Sequence, residues 1–140
     1  KIKADPQKSR SDIPFEKFSC LEHLVYGSNS TISTAKLKDI GPVIVKIIKK
    51  DVYDISTANQ EFKDEHNLLC RINHEHIMSY YGSGQMEWYG GQSRTFLVLE
   101  RLIGGTLTAL LQEPHFFTMN KRLPTYQIYD IAISFTSALQ

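Results

Sequence analysis

The chain has 140 residues, 41% of them hydrophobic and 22% charged, proportions that suit an ordinary globular protein with one sizeable core. Sixteen Lys and Arg oppose fifteen Asp and Glu, and a net charge near +1 leaves no global field to draw in nucleic acid or an anionic membrane surface. Cys20 and Cys70 lie outside any C-x-x-C spacing, which argues against a disulfide scaffold and for a reducing compartment, cytoplasmic or nuclear, and no apolar run nears the roughly 20 residues that span a bilayer.

In chain order, residues 1–14 are polar, basic and punctuated by proline, with no apolar core of a signal peptide, and are expected to be a flexible leader. From Phe15 to Leu37 the pattern predicts two extended segments around the turn-rich stretch GSNSTIST. Val43 to Ile48 form a β-branched run after Gly41-Pro42. Ser56 to Ile72 carry helical periodicity, Ile77–Met86 and Thr95–Glu100 are two further strands, and Trp88 to Ser93 form the turn between them. Gly104-Gly105 then interrupt the chain, and Thr106 can cap a short helix reaching Leu111. A Phe-rich loop follows. Beyond Pro124, Ile128, Ile131, Ala132, Phe135 and Leu139 recur at helical spacing and mark a second long helix with one apolar face.

Two charges break this patterning. Alternation along the strand puts Lys46 on one face with Ile44 and Ile48, while Val43, Val45 and Ile47 take the other. An ammonium there must reach water or an anion, so Lys46 either snorkels from an edge strand or meets a carboxylate. In the following helix Glu65 falls within the arc of Phe62, Leu69 and Ile72, with Lys63, Asp64, His66, Asn67 and Arg71 assigned to the opposite side. One misplaced cation and one misplaced anion on consecutive elements are explained together by an ion pair between Lys46 and Glu65. A pair of this kind contributes little net stability, so its presence asks for a functional reason.

VIVK, from Val43 to Lys46, resembles the V-A-I-K strand of eukaryotic protein kinases, whose lysine binds the α- and β-phosphates of ATP and pairs with a glutamate of that family's helix αC. Glu65 stands in the matching place, and Leu68, Leu69, Ile72, His74 and Ile77 follow the family's pattern after that glutamate. FLVLERLIGGTL, Phe96 to Leu107, resembles the gatekeeper and hinge, and Leu123 to Gln140 resembles helix αE. The resemblance covers about residues 18 to 140 and implies an α+β fold: a kinase N-lobe of five antiparallel strands plus helix αC, followed by an incomplete helical C-lobe. The division it suggests is a leader at 1–14, N-lobe and hinge at 15–103, and the start of the C-lobe at 104–140.

By the same resemblance Lys46 and Glu65 are the catalytic pair, and Leu24, Val25, Gly27, Ile32, Ile44, Leu99, Glu100, Leu102 and Thr106 surround ATP. Leu99 takes the gatekeeper position, Glu100 and Leu102 offer backbone groups to adenine, and Thr106 either touches the ribose or acts only as a helix cap. Leu69 and Tyr80 resemble the two N-lobe members of the regulatory spine. The expected partners are ATP and a protein Ser/Thr substrate, with no nucleic acid and no membrane; the substrate surface and the Mg²⁺ ligands would lie beyond Gln140.

The chain also departs from the family. Of the three glycines in G-x-G-x-x-G-x-V only Gly27 is present, with Val25 and Ser30 in the flanking places, and the stretch also reads as a plain hairpin turn. Ile44 replaces the usual small alanine. No H-R-D, D-F-G or A-P-E sequence occurs, so the chain reads as an inactive fragment of a Ser/Thr-type kinase; the alternative is a pseudokinase or kinase-like interaction module. His74 and His76 have no third ligand spaced to join them in a metal site, and Tyr80, Tyr81, Trp88 and Tyr89 lack the interleaved basic residues of a base-stacking surface.

Overall fold

In the computed structural model, which describes residues 12–27, 29–49, 55–88, 91–112 and 125–140, the chain divides into two compact units. The first holds one five-stranded antiparallel sheet and a helix, in the order β1 (Phe18–Tyr26), β2 (Ser30–Leu37), β3 (Gly41–Ile48), α1 (Ile55–Arg71), β4 (Tyr80–Trp88) and β5 (Gln92–Glu100). In the sheet the strands lie β1-β2-β3-β5-β4, so β3 and β5 are central. The second contains His74–Ile77, α2 (Leu107–Gln112) and α3 (Thr125–Leu139). The α+β class and the five-stranded antiparallel sheet with its helix are as expected.

Alternation decides which face of the sheet each residue serves. On one face Val43, Val45 and Ile47 of β3 are fully buried with Ala35, Leu37, Met86, Phe96 and Val98. The other face carries Tyr80, Leu97 and Leu99, against which Ile44 and the α1 residues Phe62 and Leu69 pack. Burying side chains of this size is worth roughly 1.5–3 kcal/mol each, so the two central strands hold most of the apolar driving force of this unit.

The first face is closed by the segment before β1. Ile13, assigned to the leader by sequence, donates its N–H to the Ser83 carbonyl at 2.8 Å and packs on the buried cluster beside Phe15 and Phe18. The rings of Phe15 and Phe18 lie 6.2 and 5.4 Å from that of Phe96, both edge-on. A single 3₁₀ turn, Phe15–Lys17, carries the chain into β1.

Several boundaries move. STIST, read as turn, belongs to β2, because Thr31 and Ser33 pair with Ile47 and Val45 and are themselves buried; the connection narrows to the residues around Gly27 and Asn29. β4 starts at Tyr80 rather than Ile77, since the Ile77 N–H closes a turn onto the His74 carbonyl. Gln92 and Ser93 are ladder residues opposite Trp88 and Glu87, not turn, because antiparallel pairing is made by the backbone and carries polar side chains as readily as apolar ones. The Phe-rich stretch after α2 and the leader through Ser11 lie outside the described residues.

In the second unit α3 forms where expected. Of its predicted apolar stripe Phe135 is 69% and Leu139 77% exposed, while the half-buried positions include Ser134, Ser137 and Ala138. Among the described residues, nothing covers Phe135 or Leu139.

Candidate functional site

The site grows from β3. Ile32, Lys46 and Leu97 are register partners across β2, β3 and β5, and Thr34, Ile44 and Leu99 form the next such row. Residues directly opposite in an antiparallel sheet share a face, so the Lys46 stem lies among Ile32, Ile44 and Leu97 on the side covered by α1. Lys46 Nζ donates to both carboxylate oxygens of Glu65, at 2.9 and 2.7 Å. The pair inferred from patterning is therefore formed, and the snorkelling alternative for Lys46 is set aside. At 30% and 36% side-chain exposure both groups keep access to water, so the ammonium is held in place while a further anion can still reach it.

His66, assigned by sequence to the far side of α1, is instead half-buried on its inner flank. Four residues of helix advance by about 400°, which puts His66 only about 40° from Phe62. Its ring stacks on Phe62 with planes 8° apart, and its Nδ1 lies 2.7 Å from the Tyr80 hydroxyl.

The β1–β2 hairpin supplies the loop expected over the phosphates. Gly27 N–H donates to the Ser30 carbonyl at 2.8 Å, a tight closure in which a Cβ at position 27 would stand 3.0 Å from that oxygen. A side chain there would oblige the Ser30 carbonyl to give way slightly, so the hairpin favours glycine. Lys49 Nζ donates to the Gly27 carbonyl and sits 5.8 Å from the Tyr26 ring centroid, and Asn29 Nδ2 donates to Glu61 of α1 at 3.3 Å. Val25 is register partner to Ile32, and Leu24 and Val25 are 55% and 54% exposed. The β1 ladder carries two register shifts, and Cys20 within it has φ 55°, so strict alternation fails along that edge.

At the far end of β5, Leu99 is buried between Ile44 and Tyr80 by register. Glu100 is tied twice to Ser79: its N–H donates to the Ser79 carbonyl at 2.8 Å, and its carboxylate accepts the Ser79 N–H at 3.0 Å. Leu102 and Thr106 belong to the second unit. Leu102 is 63% exposed, and Thr106 Oγ1 accepts the Ala109 N–H at 3.0 Å, which makes Thr106 the cap of α2.

His74 is fully used within the second unit. Its Nδ1 accepts the His76 N–H at 3.1 Å, which leaves the ring proton on Nε2 to be donated to Ser137 Oγ at 3.0 Å. Among the described residues no group of three or more His, Cys, Asp or Glu gathers as metal ligands, and no helix is long and apolar enough to cross a membrane.

A cation fixed on a central strand by a helix carboxylate, beside a hairpin that turns tightly at Gly27 and an apolar patch ending at Leu99, can hold a phosphorylated ligand with an apolar moiety. Comparison with known families gives the class. Residues 18–140 match the family model of the protein tyrosine and serine/threonine kinases, and the chain belongs to that family.

Curated relatives include the serine/threonine-protein kinase dst2 of Dictyostelium discoideum, 34% identical over 104 residues, and the DNA damage response protein kinase DUN1 of Saccharomyces cerevisiae, 31% identical over 101 residues. Each alignment covers 71% of this chain, but only 8% of the first relative and 20% of the second. The serine/threonine-protein kinase RUNKEL of Arabidopsis thaliana is 33% identical over 76 residues, 54% of this chain and 5% of that protein.

Proposed function

We propose that this chain is the nucleotide-binding lobe of a Ser/Thr protein kinase, with Lys46 holding the α- and β-phosphates of ATP and Glu65 holding Lys46. The observation that carries this reading is the two-oxygen contact between Glu65 and a lysine that remains partly open to water. Gly27 of the hairpin would face the phosphates, and Leu24, Val25, Ile32, Ile44 and Leu99 would enclose the base, with Glu100 presenting a backbone group to it. Bound ATP with Mg²⁺ supplies the transferable phosphoryl group; these residues position the nucleotide and neutralise its charge.

Base, metal ligands and protein-substrate platform are carried in this family by H-R-D, D-F-G and A-P-E sequences, which do not occur among the 140 residues. Transfer to protein Ser or Thr is therefore a property of the complete kinase, and residues 1–140 alone should bind without transferring. The free thiols Cys20 and Cys70 are in keeping with a cytoplasmic or nuclear setting.

The test is direct titration of the chain with a fluorescent ATP analogue, alongside thermal melting. ATP at about ten times its Kd should stabilise the fold by about 1.4 kcal/mol, and Lys46→Met should weaken binding at least about tenfold with its own melt little changed. Absence of any ATP-dependent shift in the unaltered chain would overturn the nucleotide reading. That outcome is what a pseudokinase or interaction module predicts, a reading favoured by one observation: the flanking hairpin positions carry the side chains of Val25 and Ser30, and Ile44 is packed into the cluster of Tyr80 and Leu99.

A further inference from the structure

The apolar contacts of α1 do not by themselves say how the helix should be rotated. Phe62 and Leu69 pack on Tyr80, Leu97 and Leu99, but burial of apolar surface is non-directional and tolerates a small turn about the helix axis. Glu65 needs more than that, because its two contacts with Lys46 are hydrogen bonds, which weaken steeply with angle and distance.

The next residue supplies a second directional contact. His66 Nδ1 and the Tyr80 hydroxyl are 2.7 Å apart, with ring centroids 5.7 Å apart and planes at 82°. Tyr80 is 3% exposed, so its hydroxyl would be stranded without partners on the protein. The imidazole is itself held, stacked on Phe62 and with Nε2 at 3.7 Å from Cys70 Sγ, one turn on along α1.

Topology makes the two contacts act together. In the order β3-β5-β4, Ile44, Leu99 and Tyr80 are successive register partners, and Lys46 follows Ile44 by two residues on the same face. Consecutive residues of α1 thus reach strands on either side of β5: Glu65 reaches β3 and His66 reaches β4. Two directional contacts from neighbouring positions fix both the rotation of the helix and its distance from the sheet, which one contact cannot do.

We propose that the His66–Tyr80 hydrogen bond is a latch that sets the rotation of α1, and that His66 and Tyr80 are positioning residues for Glu65 and through it for Lys46. The consequence for nucleotide binding rests on the function proposed for Lys46; the geometric claim does not.

The experiment uses the whole chain, Lys1–Gln140, with nitrogen-15 relaxation of the Lys46 side-chain ammonium as the readout and Glu65→Gln as the floor for an unpaired lysine. Tyr80→Phe removes one oxygen, and His66→Phe keeps a stacking ring without a hydrogen bond. Both should drop the order of Lys46 at least halfway to the floor while the thermal melt stays cooperative, and His66→Gln, which can still bond the phenol, should restore it. In a parallel titration with a fluorescent ATP analogue, each of the two Phe variants should raise Kd about fivefold, and the double variant no further, as expected when both remove the same hydrogen bond. Wild-type order at Lys46 in folded Tyr80→Phe and His66→Phe would overturn the latch, and so would loss of cooperative melting in both, which would assign the pair to core stability. If Lys46 loosens as expected but the unaltered chain binds no nucleotide, the latch stands and the nucleotide reading fails.

Discussion

Tyr81 follows Tyr80 in β4, and the two phenols pack in the clusters on opposite faces of the sheet. Tyr81 packs against the cluster of Val43, Val45 and Phe96. Withdrawal from water, and after it the Glu100 carboxylate, raise its pKa above the ordinary 10.0. The sign of the effect on stability follows from linkage. Below pH 10 the phenol is neutral in both states and nothing is lost; above it the unfolded chain ionises first, so stability falls with rising pH until folded Tyr81 ionises too. Thermal midpoints measured from about pH 9 to about pH 11 should therefore decline more steeply for the unaltered chain than for Tyr81→Phe. Parallel declines would remove Tyr81 as the cause. At this scale the sequence was partly legible. Lys46 and Glu65 could be paired because each broke a clean period, of two in the strand and 3.6 in the helix. His66 could not, since a histidine on the flank of a helix looks the same whether its ring meets solvent or a buried phenol. The Tyr80 hydroxyl decides the matter, and it comes from an element that begins nine residues after the helix ends.

Among the elements, the segment entering β1 shows how a fold can hide in a polar stretch. Ile13 is one apolar residue between Asp12 and Pro14, too few to make a period, yet its backbone is bonded to Ser83 and its side chain closes the apolar face of the sheet. The counterpart is Gly84. A Cβ there would fall inside contact distance of both the Ile13 carbonyl oxygen and the Phe96 ring, so the glycine is needed for close approach rather than for an unusual backbone angle. Gly84→Ala must push Ile13 off the sheet or displace Phe96, which is fully buried. A cost of about 2 kcal/mol is expected, by the usual penalty of overpacking, read as a lower thermal midpoint. Removing the strap should relieve the part of the penalty that falls on Ile13: in chains lacking the first fourteen residues, Gly84→Ala should cost less. If the penalty persists undiminished without Ile13, the Phe96 contact alone accounts for it. No glycine pattern in the sequence announces this role, because it depends on what crosses the strand from elsewhere.

Over the whole molecule the two units differ in what they bury. The first contains Phe96, Ile47, Leu97, Val43, Val45 and Val98 at under 2% exposure. In the second, none of the residues at 74–77, 102–112 and 130–140 is buried, and Ile103, Ile133, Phe135 and Leu139 are 88%, 62%, 69% and 77% exposed. Amide protection follows local burial and the cooperativity it supports, so hydrogen exchange should separate the units sharply. The amides of β3 and β5 should exchange slowest, through unfolding of the whole sheet. Those of α2 and α3 should exchange orders of magnitude faster through local opening, because isolated helices of this length are marginal in water without a packed face. A dye that reports exposed apolar surface should bind the unaltered chain, and Phe135→Ser with Leu139→Ser should reduce that binding without lowering the protection of β3 and β5. Equal protection across Val43–Ile47 and Thr125–Leu139 would mean that α3 has found a cover. The sequence announced α3 and its apolar stripe through helical periodicity alone; what periodicity cannot say is which surface an apolar stripe meets, and here the chain supplies none among its described residues.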